Sequence, residues 1–558
     1  MKTIKNIFKS AVCISLLASG AMVTTSCSDM LDTVPNGVLS ENEVGPEQAK
    51  QLMTSAYATL LNHYFGNNES FAGPINNWVF DLRSDDALKG GGALSMEGYM
   101  HQLEVGIVLS DNPVGAFKWR NNYFSISRCN SAIRAIQASP AIEESAKTSM
   151  IAEMKTLRAY YYFDMYRIFE KFPYFDETVL DPSEVSASKY SKDEIIEFIK
   201  KDLRDSYEVL PESQEEVARF NKYVAAAILA RVDLFTSSWE EAAEYSGYVI
   251  NSGKYGLFDN FLDMSKPEFN NEKESVFAIQ FSSANSPDQF NFNNCLNCTW
   301  SEGNLYGNGD DFYLASQNLV NAFRTDDSGL PYLDGTTDGI NVDFAEFPGN
   351  VDPRLDFTVG RIGMPWRSYE YNENWCRALD LYGQFSGKKP YPSPDSPYVT
   401  VGIVPWGASS LNYMVIRYAD VLLMRAEALI EMGNGLEEAR QLINLVRSRA
   451  AKSVDPNYTP VDINPVKARY AVNEYPATGW SQEYARKAVR MERRLELAME
   501  GHRWFDLVRW GNAVEVVNNY YQTESEIHEY YKGMTLSASD IYLPVPLEQS
   551  QNAGDLYN

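Results

Sequence analysis

The sequence predicts a mainly α-helical protein whose paired helices are interrupted by one large, loop-rich and partly β insert. Two observations predict this fold class. Apolar residues recur at three- and four-residue spacing in two blocks of the chain, as they do along one face of a helix. Between these blocks, residues 256–410 hold 11 of the 25 prolines and 14 of the 34 glycines, which excludes continuous helix there. The 558-residue chain is long enough for more than one packing unit.

The first 26 residues have the pattern of a secretory signal. Lys2, Lys5 and Lys9 precede an apolar run and small residues, a stretch too short to cross a membrane. The exit Thr24-Thr-Ser-Cys27 resembles a bacterial lipobox, although threonine stands where leucine is usual. That resemblance implies diacylation of Cys27 as the new first residue, and two acyl chains anchor a protein stably. The acidic start after Cys27 resembles the surface-export tag of Bacteroidota lipoproteins.

An N-terminal helical scaffold is expected over residues 27–255, with a loop-rich insert at about 65–115. Ser191 and Glu194 form a capping box, an apolar stripe follows, and Pro211 ends this helix. Three further helices are predicted at residues 151–169, 222–236 and 239–251.

Residues 256–410 are predicted to form long loops and short strands. The clearest strand is Ser275–Phe281, in which bulky and β-branched residues follow one another. This segment also holds 4 of the 10 tryptophans. Long irregular inserts on a rigid frame are where binding groups usually lie, so we expect the ligand to bind here.

A C-terminal helical scaffold is expected over residues 411–558. Val415–Glu431 reads as a helix whose alanines allow close helix approach, and another apolar stripe begins at Leu436. The tight connections between such helices are reminiscent of tetratricopeptide hairpins. No fixed 34-residue period survives, so the predicted repeat is degenerate.

The charge balance narrows the ligand class. The net charge is −26, whereas phosphate recognition needs lysine and arginine, so neither nucleic acid nor anionic lipid is expected as the main ligand. Aromatic residues are abundant, with 35 Tyr, 27 Phe and 10 Trp. A neutral ligand or a basic partner fits this composition.

The sequence predicts neither a metal site nor a cofactor. Cys295 and Cys298 form a lone C-x-x-C, while a structural zinc needs a second pair or nearby histidines, and the four histidines are scattered. A local disulfide or two free thiols are the alternatives for this pair in an exported protein. Calcium held by carbonyls and scattered acids stays open, because such sites leave little trace in sequence.

Four stretches of the chain resemble the SusD/RagB family of outer-membrane nutrient-binding lipoproteins. They are Cys27-Ser-Asp-Met-Leu-Asp-Thr-Val-Pro, Leu157-Arg-Ala-Tyr-Tyr-Tyr-Phe-Asp-Met with the following Lys171-Phe-Pro-Tyr, Ile416-Arg-Tyr-Ala-Asp-Val-Leu-Leu-Met-Arg-Ala-Glu-Ala, and Glu492-Arg-Arg-Leu-Glu-Leu-Ala-Met-Glu-Gly-His-Arg-Trp-Phe-Asp-Leu. Together with Leu543-Pro-Val-Pro, they make the resemblance span the whole mature chain. The resemblance implies a SusD-like fold.

It also implies a function. Family members are lipid-anchored on the outer membrane and face the cell exterior, where they capture an oligosaccharide. They hand it to a SusC-like TonB-dependent transporter and act as its lid. The resemblance therefore implies a transporter partner, an oligosaccharide ligand, no nucleic acid, no catalysis, and membrane contact only through the lipid on Cys27.

The charged stretch from Arg490 to Glu500 is expected to be structural. It places opposite charges three and four residues apart on one helix, beside apolar residues such as Leu495. Paired carboxylates have depressed pKa values, which are wrong for a general acid. Arg417, Asp420, Arg425 and Glu427 are interpreted in the same way.

Ligand contacts are expected from the inserts. A neutral sugar needs exposed aromatic rings for its C–H face and fixed polar groups for its hydroxyls. The candidate rings are Trp78, Trp300, Tyr306, Trp366, Trp375 and Tyr382, and the candidate polar cluster is Asn77, Arg83, Asp85 and Asp86. The segment from Arg83 to Asp86 also resembles a loop that family members place at the ligand face. For each ring the alternative is burial inside the insert, and for Arg83 it is local pairing with Asp85 or Asp86.

Three other functions remain open at this level. Oligopeptide cargo keeps the transport role, as the RagB branch implies, whereas high aromatic content favours sugar. A tethered glycosidase needs two carboxylates about 5–10 Å apart across the scissile bond, which adjacent Asp85 and Asp86 do not indicate. A helical scaffold that binds only protein would not need the aromatic insert.

Overall fold

The computed structural model describes residues 44–61, 77–282, 297–300, 305–306, 309–333, 349–389, 391–403, 406–453 and 469–557. The predicted signal and Cys27 lie outside these residues. Cys295 lies outside them as well, so the alternative of a disulfide with Cys298 falls outside the described part of the chain. Among the described residues, no helix is both long and apolar enough to span a membrane.

Helices dominate the described chain. They are α1 (Pro46–Tyr57), α2 (Gly98–Glu104), α3 (Pro113–Ala138), α4 (Glu144–Ile168), α5 (Lys192–Val209), α6 (Lys222–Phe235), α7 (Trp239–Asn251), α8 (Gln317–Ala322), α9 (Arg354–Thr358), α10 (Leu379–Tyr382), α11 (Tyr418–Met432), α12 (Leu436–Lys452), α13 (Gln482–Leu497), α14 (Arg503–Arg509), α15 (Ala513–Glu524) and α16 (Leu547–Ala553).

The strands are short, and most fall between α7 and α11. They are β1 (Ala87–Gly90), β2 (Ser275–Ile279), β3 (Phe312–Ala315), β4 (Arg324–Thr325), β5 (Asn350–Val351), β6 (Val359–Gly360), β7 (Pro365–Trp366), β8 (Tyr369–Glu370), β9 (Ser386–Gly387), β10 (Val399–Ile403), β11 (Trp406–Ser409), β12 (Tyr413–Arg417) and β13 (Arg469–Tyr470). The largest described sheet has the order β1-β3-β9-β6, so it joins the N-terminal scaffold to the insert.

The helical frame is a series of helix pairs. Each helix from α3 to α7 packs against the next, and α7 packs against α11, which continues the series with α12 and α13. The predicted close approach at α11 is confirmed, because Ala419, Ala426 and Ala428 are completely buried. The mainly α architecture with small sheets agrees with the sequence-based prediction.

The helix between Ser191 and Pro211 has the predicted start. The Ser191 hydroxyl accepts from the Glu194 backbone N–H at 3.2 Å, and the Glu194 carboxylate accepts from the Ser191 N–H at 2.8 Å. This capping box satisfies two donors at the start of α5.

The predicted helix Val415–Glu431 is wrong at its beginning. Residues Tyr413–Arg417 form β12 and pair with β2, and the helix starts only at Tyr418. Val415 and Ile416 are β-branched and fit a strand once a partner strand is present. Helical spacing in the sequence did not show that partner, which lies far away along the chain. The boundaries proposed for the scaffolds and inserts stay predictions.

Candidate functional site

The predicted polar cluster lies in the 3₁₀ turn Asn77–Arg83 and the residues that follow it. Arg83 does not pair with Asp85 or Asp86. Its guanidinium lies 4.2 Å from the Trp504 ring centroid and donates to the backbone carbonyls of Ile541, at 3.0 Å, and Asp540. Arg83 therefore holds the C-terminal segment around residues 540–541 in place. Because Arg83 is buried, the prediction that it lies at a ligand face is corrected.

Asp85 and Asp86 are also structural in this arrangement. The two oxygens of Asp85 accept from Arg503 at 2.8 and 2.9 Å, and Asp86 accepts from Arg494 at 2.8 Å. Burial would raise the pKa of Asp85, but Arg494 and Arg503 hold it below its ordinary value. Both acids are buried, so neither presents a face to a ligand, and together they join this segment to α13 and α14.

Three of the predicted sugar-stacking rings form a second hydrophobic core inside the insert. Trp366 lies 5.9 Å from Trp375 and 6.0 Å from Tyr391 between ring centroids, and Tyr391 lies 5.3 Å from Tyr306. Trp366 has no exposed surface, and the other rings of this cluster are nearly as enclosed. A ring without an exposed face cannot stack on a sugar, so we correct the prediction for Tyr306, Trp366 and Trp375. They are insert-core residues.

Trp78 and Tyr382 are likewise buried. Trp78 packs 4.7 Å from Tyr313, and Tyr382 packs 5.9 Å from Tyr530. Both belong to the main core. The prediction of Trp78 as a platform is therefore corrected, whereas Tyr382 also lines the cavity described below. Asn77 begins the same 3₁₀ turn as Trp78.

Trp300 is the predicted platform that the structure leaves open, with 44% of its surface exposed. The Arg377 guanidinium lies 4.4 Å from the ring centroid and is itself ion-paired with Asp310. The Arg377 backbone N–H donates to Asp311 at 2.9 Å. Trp300 is therefore braced by an arginine that is held by both its side chain and its backbone, while nearly half of the Trp300 surface meets solvent.

The backbone beneath Trp300 and Arg377 is strained. Asp311 and Tyr313 adopt positive φ angles of 56° and 55°, which non-glycine residues rarely do. Gly90, on the paired strand β1, also has a positive φ, and a Cβ there would lie 2.2 Å from the Asp311 carbonyl oxygen. Such strain persists only where surrounding contacts over-determine the backbone, and it clusters at functional sites.

A cavity of about 410 Å³ lies next to the chain segment that carries Arg377. Leu379 lines this cavity and follows Arg377 by two residues, so their Cα atoms lie at most about 7 Å apart. Its lining is Leu88, Ala315, Gln317, Ile362, Leu379, Asp380, Tyr382, Gly383, Gln384, Phe385, Ile527 and His528. An apolar wall with a few convergent polar groups is typical of small-molecule sites.

His528 in the lining and Glu524 next to it both favour their uncharged forms. Burial lowers the pKa of His528, whose Nδ1 lies 2.9 Å from the Leu381 carbonyl oxygen. Beneath it, burial raises the pKa of Glu524 to about 8, and the Glu524 carboxyl lies 3.9 Å from His528 Nε2. Near neutral pH both groups are uncharged, which suits a neutral ligand. Gln317 and His528 were missed from sequence, because neither lies in a recognisable motif.

In the described part of the chain, no group of three or more His, Cys, Asp or Glu side chains is placed to hold a metal ion.

Comparison with protein families gives two matches. The family model described as "SusD family" matches residues 273–558, and the one described as "Starch-binding associating with outer membrane" matches residues 95–234. Among curated proteins, SusD-like protein P2 of Formosa agariphila is 27% identical over 503 residues, 88% of each chain. A SusD-like protein of Bacteroides ovatus is 26% identical, covering 89% of this chain and 82% of that one.

Solved structures show the same fold. A SusD-like carbohydrate binding protein from Bacteroides fragilis aligns with a TM-score of 0.72 at 23% identity, covering 93% and 99% of the two chains. Surface glycan-binding protein A from Bacteroides thetaiotaomicron, in complex with laminarihexaose, aligns with a TM-score of 0.69 at 19% identity, covering 92% and 99%. A laminarin binding SusD-like protein aligns with a TM-score of 0.65 at 23% identity, covering 91% and 98%.

Proposed function

The chain belongs to the SusD family, and on this premise we propose that it is a cell-surface lipoprotein that binds oligosaccharides and delivers them to a SusC-like TonB-dependent transporter. Binding is assigned to the Trp300 face and the adjoining cavity. We assign the chain the role of capture without chemical turnover; one similar protein is named for binding laminarin.

The observation that carries the proposal is Trp300, an exposed indole braced by Arg377, whose chain segment continues into the lining of the cavity. A sugar ring has an apolar C–H face that stacks on an indole, and hydroxyls that bond to fixed polar groups. Gln317, Asp380 and Gln384 of the cavity lining offer such polar groups beside an apolar wall.

The cargo is assigned as sugar rather than peptide for two reasons. The first is that the described cavity lining contains no lysine or arginine to pair with the carboxylate of a peptide terminus. Two structural relatives are named for glucan ligands, laminarin and laminarihexaose. These names support a glycan for this chain and supply the first ligands to test.

The anchor and the transporter complete the proposal. Cys27 is proposed as the lipidated residue on the strength of its signal pattern, and the family description that matches residues 95–234 associates such proteins with the outer membrane. Glycoside hydrolysis by Asp85 and Asp86 is disfavoured, because both acids are buried and bonded to arginine.

Native affinity gels and calorimetry test the proposal. The mature protein is run through gels that contain laminarin, starch, galactomannan or xylan, and a casein peptide digest is titrated separately. We expect retardation by at least one polysaccharide, no response to peptides, and loss of retardation in Trp300→Ala. Tyr248→Ala, which removes an exposed ring from helix α7 of the frame, is the control and should behave as wild type. Peptide binding without polysaccharide binding would refute the glycan assignment.

A further inference from the structure

The insert exposes two further aromatic rings, which the function proposed above does not use. Tyr369 is 37% exposed and Tyr398 is 39% exposed. We call these two tyrosines, with Asp395, Ser368 and Ser393 between them, the tyrosine arm. None of its residues belongs to the Trp300 face or to the cavity.

The hairpin that carries Tyr369 has a strained backbone at its turn. Its turn lies between β7 and β8 and contains Arg367 at φ 54°, a left-handed conformation that is unfavourable for arginine. The Arg367 side chain is buried and donates to the Tyr391 carbonyl at 2.7 and 3.0 Å and to the Ser265 hydroxyl at 3.1 Å. These bonds fix the turn, so Tyr369 is presented in one orientation.

The loop that carries Tyr398 is stiffened by proline. Pro392, Pro394 and Pro397 each fix one backbone φ angle. Two successive turns fold the loop, through Ser396 N–H to the Ser393 carbonyl at 2.9 Å and Val399 N–H to the Ser396 carbonyl at 3.0 Å. A loop that is already rigid loses little conformational entropy when it binds a ligand.

A hydrogen bond joins the hairpin to the loop. The Tyr369 hydroxyl donates to Asp395 at 3.0 Å, and the Ser368 and Ser393 hydroxyls lie 3.4 Å apart. A carboxylate accepts up to about four hydrogen bonds, so Asp395 keeps capacity for other donors. The arm thus combines two exposed rings with a carboxylate and hydroxyls in a pre-formed geometry, the same combination that recognises sugar at a stacking site.

We propose that the tyrosine arm is a second carbohydrate-binding surface, which contacts a neutral glycan chain already held at the Trp300 face. This inference rests on the proposed glycan function. The insert core connects the two surfaces, since Trp366 of the hairpin packs 5.9 Å from Trp375, two residues before Arg377. Two rings that are each less than half exposed offer little contact area, so the arm binds weakly alone and contributes when one chain reaches both surfaces.

The test compares long and short ligands. Tyr369→Ala/Tyr398→Ala is measured on gels with laminarin, starch, galactomannan and xylan, and by calorimetry with laminaritriose, maltotriose, mannotriose and xylotriose. We expect polysaccharide affinity to fall at least ~10-fold, because the second contact raises avidity, while trisaccharide affinity stays within about twofold. Trp300→Ala should lose both, and Tyr369→Phe, which keeps the ring, should keep most of the polysaccharide affinity.

Tyr248→Ala is the matched control, since Tyr248 is also 37% exposed but lies on α7 of the helical frame. Polysaccharide binding by the double variant equal to that of this control overturns the inference and leaves the proposed function intact. Equal losses for polymer and trisaccharide also overturn it, because they indicate a single site. A wild-type protein retarded by none of the four polysaccharides refutes the proposed function, and this inference with it.

Discussion

Arg417 binds Glu496 twice: its Nη1 donates to the Glu496 carboxylate at 2.9 Å and its Nη2 to the Glu496 backbone carbonyl at 3.0 Å. The two residues belong to the two most specific sequence motifs, one at the end of β12 and one in α13. The Glu496 carboxylate also forms salt bridges with Arg354, at 3.0 Å, and with Arg449. The side chains of Glu496 and the three arginines are all buried. The charged helix predicted from sequence is therefore structural, but its partners lie on other elements rather than along the helix.

Glu496→Gln is expected to destabilise the fold by about 3–5 kcal/mol, because it leaves buried arginines without their counter-charge. Urea unfolding monitored by circular dichroism measures this. Ligand affinity in the remaining folded protein should be unchanged, since Glu496 is buried away from the Trp300 face.

Glu437→Gln is the control for this prediction. The Glu437 carboxylate is 57% exposed and pairs with Arg440 three residues along the same helix. Exposed pairs of this kind contribute less than about 1 kcal/mol. Comparable losses in the two variants would contradict the buried-network interpretation.

Trp300→Ala and Trp366→Ala should have opposite effects. Removing the exposed Trp300 is expected to weaken glycan binding about thirtyfold, near 2 kcal/mol, with little change in melting temperature. Removing the fully buried Trp366 should cost about 3–5 kcal/mol of stability because it leaves a cavity in the insert core. Affinity gels and thermal melts of both variants distinguish the two roles. A large stability loss in Trp300→Ala would show that this ring is a packing residue.

Glu524 predicts a pH dependence of stability. Burial raises the pKa of Glu524 to about 8, so the folded protein keeps its proton where the unfolded chain, at a pKa near 4.3, has lost it. Stability from this group is therefore present at low pH and is lost as pH rises towards 8, by at most about 1.4 kcal/mol per pH unit. Glu524→Gln cannot ionise and should lose this slope.

Urea unfolding at pH 5, 6, 7 and 8 measures the effect as the difference between wild type and Glu524→Gln. The variant should gain relative to wild type as pH rises. Glu529→Gln is the control, because Glu529 is exposed and lies only five residues further along the chain. Parallel pH profiles for wild type and Glu524→Gln would contradict the prediction.

Cys27→Ser should release the protein from membranes, because it removes the residue that carries the proposed acyl chains. Membrane and soluble fractions of cells that express each form are compared by immunoblot after a high-salt wash. The fold should be unaffected. A variant that still sediments with the outer membrane would refute the lipid assignment.

Local sequence signals predicted most of the frame. The capping box at Ser191 and Glu194 and the stripe after Leu436 depend on residues within one or two helical turns, so they could be interpreted without tertiary contacts. The prediction was wrong at Val415, where a strand partner from residues 275–279 changes the local conformation. Pairing over that distance leaves no periodic signal.

The candidate site was less predictable. Trp300 and Trp366 both lie in the proline- and glycine-rich insert, yet one is 44% exposed and the other has no exposed surface. Residue type and loop context are the same for both tryptophans. Their exposure differs because Tyr306, Trp375 and Tyr391 pack around Trp366. The exposure of Tyr369 and Tyr398 was unpredictable from sequence for the same reason, since it depends on tertiary packing.

By itself, the sequence determined the helical frame and the family, and its net charge of −26 predicted a main ligand other than nucleic acid. Helix periodicity, motifs and net charge are properties of neighbouring residues or of composition, so they need no tertiary structure. Only the tertiary structure decided which aromatic rings face solvent and which arginine meets which carboxylate. Arg83 bonds near residue 540 and Asp85 bonds Arg503, contacts more than 400 residues apart along the chain. Burial and ion pairing depend on such distant neighbours, so the binding face emerges only when the insert folds onto the frame.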